Sequence, residues 1–179
     1  MNILPIDKHP NKFGSYTLMT GVLLIVLGAT GILLPTLMSL STSILVGWLL
    51  LVGASLWAVH TYIYSSKIVM DWIKPVLLFV IGSLMLFYPV TGVATIGLLL
   101  AVYLLLDAMH SFAHAQATHP AKGWGWMTFN GVISALLAAL FLLGWPATSM
   151  WLVGIFVSIS LLFDGWALVA IGWALRKGK

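Results

Sequence analysis

Six stretches of this sequence are long and apolar enough to cross a lipid bilayer. Each is separated from the next by only a few polar or turn-forming residues. They run roughly Tyr16–Leu34, Thr42–Tyr64, Ile73–Tyr88, Thr91–Ala115, Trp126–Trp145 and Ser149–Ala174. A hydrocarbon core about 30 Å thick needs about 20 apolar residues per helix, whereas a barrel strand needs about 10 of alternating polarity. The runs lack that alternation, so the sequence predicts an all-α membrane protein with six transmembrane helices. Composition agrees: 61% of the 179 residues are hydrophobic and 7% charged, where a soluble domain carries about 25% charged residues. The length leaves a single membrane domain over residues 1–179 without a separate soluble module. The first run follows Lys8 and Lys12 but is longer than a signal-peptide core and lacks an A-x-A-like site, so it is expected to stay as a spanning helix.

The charges divide by side. Lys8 and Lys12 precede the first run, Lys67 and Lys74 follow the second, Lys122 follows the fourth, and Arg176, Lys177 and Lys179 follow the sixth. A six-span chain puts all of these on one side, whereas the connections around Pro35, Pro89 and Pro146 carry no basic residue. The positive-inside rule then places both termini in the cytoplasm. The net charge of +4 is thus an orientation signal, and nucleic acid is not an expected partner. The expected surroundings are the bilayer, with a second copy or another membrane protein as the alternative neighbour. Trp72, Trp124, Trp126, Trp145 and Trp151 fall near run ends and read as interfacial anchors.

A threefold internal repeat underlies the six runs. Pro35, Pro89 and Pro146 mark the three uncharged turns. Seven residues before them stand Gly28, Gly82 and Ala139; eighteen after stand Gly53, Asp107 and Asp164; nineteen after stand Ala54, Ala108 and Gly165. The chain therefore reads as three parallel helical-hairpin repeats, over about 15–66, 70–117 and 125–176. Repeats of that kind are related by an axis along the membrane normal, so a pseudo-threefold bundle is expected. Gly21, Gly28, Gly47, Gly53, Ser134 and Ala138 supply small residues for close helix packing.

The stretches GATGILLP, VIGSLMLFYP, LLLDAMH and LLFDGWALV resemble the HdeD family of small bacterial membrane proteins, with the likeness running from about Gly21 to Ala174. The resemblance implies a six-helix inner-membrane protein associated with acid resistance or stress. It carries over no catalytic residue. The sequence departs from the family after its last Asp-Gly step, where WALVAIGWA lacks a basic residue.

Polar side chains inside the runs are the candidate functional residues. An ionised Asp at a helix centre costs about 2.5–3.5 kcal/mol and needs a partner. Asp107 and Asp164 share a repeat position, roughly 20 Å into the core from the uncharged turn. Tyr103, Asp107, His110 and His114 follow i, i+4, i+7, i+11 spacing, within about a 60° stripe of one helix face. Asp164 has Ser160 one turn before it and otherwise apolar neighbours, which leaves His60, the counterpart of His114, as a candidate partner. Four readings compete for the stripe: interhelical hydrogen-bond glue, a proton-responsive or solute-conducting element, a metal site extended by His119, and catalysis. Histidine changes charge in the mildly acidic range, which suits the second. There is no Cys or Glu, no Gly-rich phosphate loop, no G-x-S-x-G elbow and no H-E-x-x-H, so an enzyme, a metal and a cofactor are not expected. QATHPAKGWG (116–125) reads as a turn, and MNILPIDKHPNKFG as a surface lead.

Overall fold

The computed structural model describes residues 12–64 and 68–177. The first eleven residues of the lead, and Lys8, Lys67 and Lys179 of the charge pattern, lie outside them. The described residues form α1 (Lys12–Leu33), α2 (Pro35–Tyr64), α3 (Val69–Phe87), α4 (Pro89–Thr118), α5 (Trp124–Leu143) and α6 (Ser149–Lys177). All six are long and apolar enough to cross a membrane, and no strand occurs among the described residues. The chain is a multi-pass, all-helical membrane protein.

Five of the six helices begin before the expected apolar runs, two of them at proline. α2 and α4 begin at Pro35 and Pro89, not at Thr42 and Thr91, because proline serves as the first residue of each helix. Its missing N–H is not needed there and its fixed φ already fits a helix. One residue, Leu34 or Tyr88, therefore makes the whole connection. The third connection is longer: Gly144–Thr148 separates α5 from α6, with two residues before Pro146. That extra residue shifts α5 by one position. The buried counterpart of Gly28 and Gly82 is accordingly Ala138, and Ala139 is only half-buried. Between α4 and α5, residues 119–123 form the expected turn, ending at Gly123 with a φ of 112° that only glycine adopts easily.

The chain divides into two compact units, residues 35–155 and residues 1–34 with 156–179, and α6 contributes to both. Within residues 35–155, α2 packs along α3 and α4 along α5, while α3 and α4, joined at Pro89, touch far less. The second helix of each repeat thus packs on the first helix of the next. On α4 the buried residues Ala94, Gly97, Ala101, Leu104, Ala108, Ser111 and Ala115 alternate three and four apart, and on α5 Gly131, Ser134, Ala138 and Phe141 do the same. That is the seam of a left-handed helix pair. α2 and α3 approach through Gly47 and Gly82: a Cβ on Gly82 would lie 2.9 Å from the Gly47 carbonyl oxygen.

The N-terminal turns of α2, α4 and α6 also meet. Ser39 Oγ donates to the Met150 carbonyl at 2.7 Å, and Trp145 Nε1 donates to the Ala94 carbonyl at 2.9 Å. A Cβ on Gly92 would strike Ser43 Oγ, one on Gly97 the Ser149 side chain, and one on Gly154 the Pro35 carbonyl. The Ser43 and Ser149 hydroxyls are buried at this crossing without a hydrogen-bond partner among the described residues.

In the other unit, α1 packs against residues 156–177 of α6 through glycines seven apart. A Cβ on Gly21 would lie 2.8 Å from the Gly165 carbonyl oxygen, one on Gly165 2.8 Å from that of Gly21, and one on Gly28 2.7 Å from that of Ser158. Arg176 Nη2 donates to Ser15 Oγ at 2.8 Å near the end of the pair. The same rule governs both units. Twelve, nineteen and twenty-six residues after each repeat proline stand Gly47, Ala54 and Thr61; Ala101, Ala108 and Ala115; and Ser158, Gly165 and Gly172, all buried.

Candidate functional site

The polar site grows out of the α4–α5 seam. Ala108 points into that seam, so Asp107, one residue earlier, sits half-buried on its flank. α5 supplies the partners. Ser134, on the seam itself, donates Oγ–H to Asp107 Oδ2 at 2.6 Å. Asn130 donates from Nδ2 to the same oxygen at 3.3 Å and to Ser111 Oγ at 3.0 Å. Ser111 lies one turn after Asp107. Four side chains from two helices therefore form one network in otherwise apolar packing, with a single carboxyl oxygen accepting two bonds. Interhelical hydrogen bonds in membranes average about 0.6 kcal/mol and reach about 1.7, and ionised acceptors make bonds roughly twice as strong as neutral ones. The site lies about 27 Å along α4 from Pro89.

The stripe on α4 is split by this geometry. Asp107 turns to α5, while Tyr103, His110 and His114 face outward and are exposed. None of the three bonds Asp107 among the described residues. The two imidazoles pack edge to face on each other, centroids 4.2 Å apart at 65°. Among the described residues no three His or Asp side chains gather as a metal-binding group.

His60 is exposed on α2, its ring edge-on to Trp57 at 5.4 Å and tilted over Tyr64 at 4.8 Å. Asp164 is exposed on α6 and makes no hydrogen bond or ion pair with the described residues. The repeat explains why its surroundings differ from those of Asp107. Counted from the ends of α1 and α5, Asn130 and Ser134 correspond to Thr20 and Leu24, and Ser111 corresponds to Leu168. Leucine offers no donor, and the Thr20 hydroxyl is used on the Tyr16 carbonyl at 2.9 Å.

The sequence pattern singles out Asp107 but not its partners. Ser134 is legible there only as a small packing residue. Asn130 carries a readable signal, because it is the one Asn within the six apolar runs.

A family model described as a short repeat of unknown function (DUF308) matches the chain twice in tandem, over residues 19–75 and 73–143. No curated protein and no solved structure matches.

Proposed function

The chain belongs to the DUF308 family of short repeats of unknown function, and from that premise we propose that it is a proton-responsive protein of the bacterial inner membrane with a role in acid or envelope stress. The HdeD proteins belong to the same family, which supports the stress role, and the one-sided distribution of Lys and Arg supports cytoplasmic termini. The observation that carries the proton response is the α4–α5 network, in which Asp107 Oδ2 takes hydrogen bonds from Ser134 and Asn130. An ionised carboxyl holds both donors with charge-assisted bonds; a protonated one accepts them only as a neutral acid, so the clamp between the helices weakens as pH falls. The test is acid survival of cells whose own copy is deleted. Wild type should restore survival, while Asp107→Asn and Ser134→Ala, expressed at equal levels, should restore markedly less. Full rescue by both variants would remove the network from the function.

A second reading, a non-conducting subunit that packs with another membrane protein or a second copy, is favoured by the exposed Asp164 on α6. A carboxyl facing lipid is costly, and an interface would supply the donor it lacks. Loss of a co-purifying partner or of an oligomer in Asp164→Leu supports this reading; a monomer in both proteins excludes it.

A further inference from the structure

The end of α2 and the start of α3 enclose a polar cavity that the acid-response proposal does not use. It has a volume of about 370 Å³ and is lined by Trp57, His60, Thr61, Met70, Asp71 and Lys74. Its shape starts with Pro75. Proline cannot donate to the carbonyl four residues back, so the Asp71 carbonyl loses its helical partner. Thr61 Oγ1, buried on α2, fills in with a long bond of 3.5 Å to that carbonyl and ties the two helices together. Lys74, five residues into α3 and so about 8 Å from its start, is drawn over the Trp57 ring, with Nζ 3.4 Å from the centroid. No carboxylate lies within ion-pair distance of that ammonium among the described residues. It has a cation–π contact and hydrogen-bond donors to spare.

The cavity continues onto an apolar surface of α3. A groove of about 460 Å³ shares Met70 and Lys74 with it and continues along α3 past Ile73, Leu77, Leu78 and Ile81. From Ile73 to Ile81 is roughly 12 Å of helix toward the membrane interior. A polar chamber opening onto a shallow apolar groove is the outline of an amphiphile. The chamber is lined by both signs of charge, the Lys74 ammonium and the Asp71 carboxyl, with the His60 imidazole as a further polar group.

We propose that this composite site binds one phospholipid with a zwitterionic phosphoethanolamine headgroup. Its phosphate lies against Lys74 and His60, its ammonium against Asp71, and an acyl chain lies along Ile73, Leu77 and Ile81. The proposal stands independently of the Asp107 network.

Native mass spectrometry of the full-length protein, exchanged into detergent with defined lipids, tests it. Wild type should retain one phosphatidylethanolamine per chain in preference to phosphatidylglycerol. Lys74→Ala and the groove-filling Leu77→Trp should each cut retention at least tenfold, Lys74→Arg should keep it, and Asp71→Asn should erase the headgroup preference. Lys122→Ala, on the α4–α5 turn, should change nothing. Retention unchanged in both Lys74→Ala and Leu77→Trp would overturn the site, and equal retention of phosphatidylglycerol by wild type would overturn the zwitterion. Displacement of the lipid by inorganic phosphate alone would reassign the chamber to a soluble anion.

Discussion

At the position eighteen residues after the repeat proline, the first repeat carries Gly53 where the others carry Asp107 and Asp164. A Cβ on Gly53 would meet nothing within 4 Å, whereas one on Gly165 would press on backbone atoms of α1 at 2.8 Å. The two glycines therefore have different causes. Gly53→Ala should stabilise the protein, by up to about 1 kcal/mol of helix propensity. Gly165→Ala forces two backbones apart and should cost about 1–3 kcal/mol. Unfolding titrations in mixed micelles should shift in opposite directions for the two variants. Asp107 is the other residue whose value is set by its neighbours. Asp107→Ala strips an acceptor from Ser134, only 5% exposed, and from Asn130, and should lower stability by about 1 kcal/mol. Asp107→Asn keeps an acceptor for Ser134 and should lose less in the same titration.

Along a single helix, the repeat is legible in the amino-acid order alone, because the prolines and the small residues keep phase over each pair of runs. The column Ala54, Ala108, Gly165 is buried in all three repeats. What one-dimensional phase does not reveal is the helix each packs against. Proline turns of one residue suggest tight hairpins, yet α4 keeps its long contact for α5, because the three-four run of Ala, Gly and Ser on α4 meets its match there. For the same reason the stripe Tyr103–Asp107–His110–His114 divides, with Asp107 turned to α5 and the other three exposed. The spacing groups side chains on one helix, while the bonds to Asp107 come from another. Hydropathy misplaces the helix starts at Pro35 and Pro89, where a turn-former also opens a helix. Trp145 illustrates an element-scale contact that its position near a run end does not reveal: its indole N–H reaches across to the Ala94 carbonyl at 2.9 Å. Trp145→Phe keeps the ring and loses that bond, and should cost about 1 kcal/mol in the unfolding titration.

For the whole molecule, topology and acid response are the claims to test. The chain has no cysteine, so each introduced thiol is unique. With cytoplasmic termini, Ala147→Cys in intact spheroplasts should react with a membrane-impermeant maleimide, and Lys122→Cys should react only after permeabilisation; the reverse pattern would invert the orientation. The acid response is tested most directly by the separation of α4 and α5. Spin labels at Gln116→Cys and Trp126→Cys, both exposed, report it by pulsed electron resonance in lipid nanodiscs. Acidification from neutral pH should lengthen or broaden the wild-type distance distribution, while Asp107→Asn should show the acid-like distribution at every pH. A wild-type distribution that does not move with pH, or one that moves equally in Asp107→Asn, would contradict a proton-sensitive clamp at Asp107.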